Sequence, residues 1–227
     1  MTTPLVIAHR GASAYEYENS LAAFRAAQPR GADGVELDIH ATKDGMLFVH
    51  HDEAINHTHI TRSTAKQIGA LQLPNGEPIP TLDEALGAIP APLLVFVEVK
   101  SLPQQFDGVL YAALDKGAKG RYAVHSFDHR IVSRIGFARP KMPRGILIAH
   151  YPIRPLEELE DTGAQTLWED QSLIDAGLVD AIHTADCRLF AWTANEPEDI
   201  KRLVGLGVDA ICTNVPDVAR AIVDAAA

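Results

Sequence analysis

Two short stretches of the 227-residue chain place charged side chains two positions apart: Glu36-Leu37-Asp38 and Glu98-Val99-Lys100. In an extended strand, residues i and i+2 share a face, so each stretch predicts a pair of charged groups aimed the same way. Three carboxylates packed together repel one another unless a cation shares their site. Hard oxygen ligands of this kind suit Mg2+ or Ca2+. Either stretch alone reads more simply as solvated acids at a strand end. The second stretch tips the reading toward one divalent metal held by Glu36, Asp38 and Glu98.

Other residues could supply proton transfer and anion binding. His9-Arg10-Gly11 offers an imidazole beside a guanidinium, whose planar fork matches a phosphate. His51-Asp52 offers a second imidazole, so His9 and His51 form a candidate acid–base pair near neutral pH. Lys100 is a second phosphate contact. Trp192, in Trp192-Thr193-Ala194-Asn195, can wall off a substrate's organic part; core filling is its plainer reading. His40, His50, His57 and His59 lie near His51, but their spacing matches no helix or finger ligand set.

The elements that must position these groups alternate. Short apolar runs at 5–9, 34–39, 93–99, 122–126, 145–149, 166–168, 188–192 and 208–212 predict strands, with a short extra strand at 46–50. The run at 93–99 is apolar almost throughout, as in a strand covered on both faces. Helical patterns fall between them: 20–28, 82–86 behind the capping box Thr81-Leu82-Asp83-Glu84, then 104–116, 128–137, 155–161, 172–182 and 196–206. Residues 216–226 make a closing helix with proline in its first turn. Eight strand–helix units in this length predict an α/β fold, a (β/α)8 TIM barrel spanning residues 1–227 as one domain. Barrel sites form at the C-terminal strand ends, which is where every candidate above falls. Residues 53–80 form a short insertion after strand two, loop-like in their second half because of Pro74, Asn75, Gly76, Pro78 and Pro80.

Composition narrows the partners. Asp plus Glu exceed Lys plus Arg by 30 to 20, for a net charge of −10. That sign disfavours nucleic acid and stable attachment to anionic membranes; the oligomeric state is not encoded legibly. Two cysteines, Cys187 and Cys212, are too few for a disulfide framework. The start, Met1-Thr2-Thr3-Pro4-Leu5, lacks a basic segment followed by an apolar run, so a cytoplasmic protein is the expectation.

Taken in order, the motifs resemble one known family. His9-Arg10-Gly11, Glu18-Asn19-Ser20, the run from Gly31 to Asp38, Thr42-Lys43-Asp44-Gly45, His51-Asp52, Pro80-Thr81-Leu82 and Glu98-Val99-Lys100 look like the glycerophosphodiester phosphodiesterase signature. So do Ser126-Phe127-Asp128, Trp192-Thr193-Ala194-Asn195, Gly207-Val208-Asp209 and Pro216-Asp217. The resemblance implies metal-dependent hydrolysis of a small glycerophosphodiester to glycerol 3-phosphate and an alcohol, through attack of the neighbouring glycerol hydroxyl and a cyclic phosphate. It implies Glu36, Asp38 and Glu98 on one Mg2+ or Ca2+, His9 and His51 as general acid and base, Arg10 and Lys100 on the phosphate, and Trp192 beside the organic part. The chain departs from the family pattern at Tyr17, where proline is usual, in Asn56-His57-Thr58-His59, where an arginine is common, and at Asn214, where aspartate is usual.

Three other readings compete. A lysophospholipase D-like barrel would use similar residues on lipid substrates. A non-catalytic phosphometabolite binder would keep Arg10 and Lys100 but need neither the full carboxylate set nor both histidines. A sugar-phosphate isomerase would more often seat its phosphate on the last loops of the barrel.

Overall fold

The computed structural model describes residues 3–226; Met1 and Thr2, within the N-terminal stretch considered above, lie outside them. Eight parallel strands close into a ring: Leu5–Ala8, Gly34–Ala41, Leu94–Ser101, Tyr122–Ser126, Arg144–Ile148, Thr166–Asp170, Arg188–Trp192 and Ala210–Thr213. Strand one pairs with strand eight on one side and with strand two on the other, which closes the barrel. The expected (β/α)8 TIM barrel is therefore the observed fold. The extra strand, Leu47–Val49, runs antiparallel to the end of strand two, outside the ring. Among the described residues no helix is long and apolar enough to cross a membrane.

Inward side chains fill the barrel. Ile7, Phe96, Leu147, Trp168, Phe190, Ala210 and Cys212 pack together. The Phe96, Trp168 and Phe190 rings meet edge to face at centroid distances of 5.0–5.7 Å, the arrangement that ring quadrupoles favour. Outward side chains such as Val35, Leu37, Val95 and Val97 bury against the helices instead. The barrel floor is thus a solid apolar plug, and polar chemistry is confined to the layer above it.

Local sequence explains where the elements depart from simple expectation. The segment expected as one helix over 172–182 is a 3-10 turn, Gln171–Leu173, followed by a helix, Ala176–Thr184. Asp175 interrupts it: its side chain accepts from the Leu178 amide and starts a new helix as N-cap. Strand eight begins at Ala210 rather than Val208. The preceding helix ends on Gly207 with φ 84°, and the Val208 amide closes back on the Leu203 carbonyl. The insertion has a core of its own, in which Phe48, Ile55, Ile60, Ile68, Leu73 and Ile79 pack with Tyr17 at its margin. His57 sits exposed with Asn56 at the tip of a two-residue hairpin, both at positive φ. It is a turn residue, away from the barrel mouth.

Candidate active site

Strand register builds the site. Asp38 lies opposite Glu98, and Glu98 opposite His125, so three neighbouring strands present one polar row. Glu36 stands on the same face as Asp38, two residues earlier. All four are buried, at 7% exposure or less. His9 follows strand one and Trp192 ends strand seven; both line the same small cavity of about 20 Å³ with Glu36, Glu98, His125 and Cys212. That volume holds roughly one water-sized body.

Two cations pair with Asp38 and Glu98. Lys100 Nζ lies 2.6 Å from Glu98 Oε1 and 3.2 Å from Asp38 Oδ1. Arg10 Nε is 3.2 Å from Asp38 Oδ2, and its terminal nitrogen meets Glu18 at 2.8 Å. Asn19 donates to the same Asp38 oxygen at 2.9 Å. Burial pushes the Asp38 carboxyl up, but Lys100 and Arg10 outweigh it and hold the group below the usual carboxylate range. Glu36 and Glu98 go the other way: burial, then the neighbouring acids, raise both. Two sealed carboxyls that bind protons too tightly are a site that gains from a divalent ion. Among the described residues, Glu36, Glu98 and His125 form the one group of three whose ligand atoms all lie within 4.8 Å of one another. The donor set therefore fits a metal.

Backbone strain aims Arg10. Its φ is 54° and that of Gly11 is 83°. A Cβ on Gly11 would lie 2.6 Å from the Ala23 backbone, so only glycine lets the chain turn here. The turn brings the Arg10 amide to Glu36 Oε2 at 3.1 Å.

The two histidines named from sequence have different partners. His9 Nδ1 is 2.7 Å from Asn214 Oδ1, which also accepts from the Ser13 hydroxyl. The acceptor oxygen places the proton on Nδ1 and leaves the Nε2 lone pair free. Burial, with Arg10 adjacent, lowers the His9 pKa to about 4, so the ring is neutral. His51 is half-buried, and its Nδ1 meets Asp52 Oδ1 at 2.9 Å. Asn214, noted above only as a departure, thus sets a tautomer.

Sequence reading did not single out His125, and left His40 without a role. The His40, His50, His57 and His59 group does not converge. His40 Nε2 donates to the His51 carbonyl at 3.1 Å, and its Nδ1 faces the Ser101 hydroxyl at 3.2 Å. It ties the loop carrying His51 to strands two and three. His40→Leu should therefore lower kcat about 10- to 100-fold, the scale of an ångström-level misplacement, with little change in KM. His40→Gln, which keeps a donor near Nε2, should recover most of the loss. Equal losses in the two variants would refute the positioning role.

Buried carboxylates, two cations and histidines converge at the mouth of a parallel barrel, where barrel enzymes carry their active sites, and comparison with known proteins narrows the class. Residues 9–218 match the glycerophosphoryl diester phosphodiesterase family. A glycerophosphodiester phosphodiesterase of Caldanaerobacter subterraneus is 32% identical over 94% of this chain and 95% of its own length. The structure of a glycerophosphodiester phosphodiesterase from Parabacteroides distasonis superposes with a TM-score of 0.89 at 26% identity, covering 98% of each chain. An Oleispira antarctica phosphodiesterase, solved with the product sn-glycerol-3-phosphate, gives 0.87 at 25% identity, covering 98% of this chain and 97% of its own. The chain belongs to the glycerophosphoryl diester phosphodiesterase family.

Proposed function

We propose that this chain hydrolyses glycerophosphodiesters to glycerol 3-phosphate and an alcohol, using a divalent metal and the two histidines His9 and His51. The observation that carries the reading is the joint presence, at one barrel mouth, of the buried Glu36–Glu98–His125 group, two cations and a neutral His9. Family membership and the product-bound relative support it.

Glu36, Asp38 and Glu98 would hold the metal, which when bound supplies Lewis-acid stabilisation of phosphoryl charge. Arg10 and Lys100 now neutralise Asp38. A substrate phosphate would draw on both and leave Asp38 for the metal. In the first half of the reaction, His9 Nε2 takes the proton of the glycerol hydroxyl that attacks phosphorus and His51 gives a proton to the departing alcohol oxygen, leaving a cyclic phosphate. In the second half water opens that ring to glycerol 3-phosphate, His51 taking the water's proton and His9 returning one to the glycerol oxygen. The partners fit this division. The amide oxygen of Asn214 leaves His9 Nε2 free to accept a proton, and Asp52 fixes the orientation of the His51 ring. Trp192, edge to face with Phe127 at 5.5 Å, flanks the substrate's organic part.

The test is glycerol 3-phosphate release from a panel of glycerophosphodiesters with Mg2+, Ca2+ or chelator. Release that needs metal and is lost in Glu98→Gln is the expected result. Turnover of lysolipids with none of soluble diesters would favour the lysophospholipase D-like reading, and no release from any diester would overturn the proposal.

A further inference from the structure

We infer that His125 is a ligand of the divalent ion, and that the site therefore selects a first-row transition ion such as Mn2+ over Mg2+ and Ca2+. This rests on the metal reading under Proposed function but goes beyond it. The carboxylates alone call for a hard ion; one imidazole changes the chemistry.

Geometry carries the inference. His125 Nε2 faces Glu36 Oε1 at 4.0 Å, too far for a hydrogen bond. Two ligands about 2.1 Å from one octahedral ion lie roughly 3.0 to 4.2 Å apart. The separation is that of two donors sharing an ion. Register puts His125 directly beside Glu98 on the next strand. The cavity between them is small enough that one bound body would touch all three.

The ring is also held in place by means other than hydrogen bonds. It stacks on Trp168 at a centroid distance of 4.2 Å and an interplanar angle of 11°. Gly145 makes that stack possible: a Cβ there would lie 2.9 Å from the Trp168 ring. His125 is 2% exposed, and its Nδ1 has no hydrogen-bond partner. The stack fixes the ring plane, with Nε2 turned toward Glu36 and Nδ1 away from any partner.

Selectivity follows from donor type. Carboxylates suit Mg2+, Ca2+ and Mn2+, whereas imidazole suits the later first-row ions, whose affinities rise along the Irving–Williams order. A mixed set of the buried carboxylates Glu36, Asp38 and Glu98 with one imidazole gains from Mn2+ onward, and Ca2+ gains least.

Mn2+ electron paramagnetic resonance of the full chain, with electron spin-echo detection of directly coordinated nitrogen, tests this without reference to turnover. The expected result is a 14N coupling in the wild type that disappears in both His125→Gln and His125→Ser at equal Mn2+ loading. In parallel, Mn2+ should displace Ca2+ with at least about tenfold preference in the wild type, a preference that falls about tenfold or more in the variants. Near-UV circular dichroism establishes which variants retain the fold. Bound, catalytically competent Mn2+ without nitrogen coupling in the wild type would overturn the role of His125 and leave the phosphodiesterase standing. So would coupling that persists in a folded variant, or a wild type with no preference for Mn2+ over Ca2+. Failure to bind any divalent ion would instead sink the metal reading beneath it.

Discussion

His51→Ala lowers kcat by about 100- to 10,000-fold on a glycerophosphodiester with an alkyl alcohol, and by far less on a nitrophenyl ester of glycerol phosphate; His9→Ala loses its activity on both. The range is that of a positioned proton-transfer group. The asymmetry follows from what each ring touches. His9 presents a free Nε2 because Asn214 Oδ1 occupies Nδ1, and its lowered pKa of about 4 keeps it unprotonated. Its proposed task is that of a base, which the attacking glycerol hydroxyl needs whatever alcohol leaves. His51 hands its Nδ1 hydrogen bond to Asp52, and its proposed task is to protonate the leaving oxygen. A nitrophenolate leaves without that proton, so removing the acid costs little. Measuring kcat for both variants on both substrates checks the assignment. Equal rescue of the two variants would show that the roles are not divided this way. Rescue of His9→Ala alone would reverse them.

The parts of this site visible in the sequence are those that depend on one strand at a time. Glu36 and Asp38 share a face because side chains alternate along a strand, and that alternation needs no knowledge of neighbours. The nearly continuous apolar run of strand three likewise announces burial on both sides. His125 was not visible, because an imidazole near a strand end acquires meaning only from the register that sets it opposite Glu98. Asn214 read as a mere difference from a family pattern until the fold brought it 2.7 Å from His9, which lies 205 residues away in sequence. The same dependence on parity separates two acids that look alike on paper. Trp168 points into the barrel with Phe96 and Phe190, so Glu169, the next residue on strand six, must point outward. It is a strand-end carboxylate that cannot join the Glu36–Glu98–His125 group.

That outward carboxylate has an expected consequence of its own: Glu169→Gln stabilises the protein progressively as pH rises from 5 to 8. Glu169 is 0% exposed; one oxygen accepts the Asp170 amide at 2.8 Å and the other has no hydrogen-bond partner. Burial, with Asp170 and Glu158 nearby, raises its pKa from 4.5 to about 8. A raised carboxyl pKa means that the folded protein holds a proton which the unfolded chain gives up. Below pH 4.5 both states are protonated and the group is neutral in its effect. Between 4.5 and 8 the unfolded state binds fewer protons, so stability falls as pH rises. One pH unit corresponds to about 1.4 kcal/mol, and the interval from 4.5 to 7 would cost about 3 kcal/mol. The group lies shallow beneath the surface, so we expect about 2 kcal/mol at pH 7. For a chain of this size that is roughly 4 to 8 °C in Tm. Glutamine keeps the acceptor for the Asp170 amide but cannot ionise, so it removes the pH-dependent part alone. The measurement is thermal unfolding of both proteins at pH 5, 6, 7 and 8, and the difference between the curves decides the matter, because any fixed packing cost of the amide shifts all four points equally. Curves that run parallel across the range would mean that Glu169 ionises in the folded barrel as readily as in the unfolded chain, with water or a cation reaching its unpartnered oxygen.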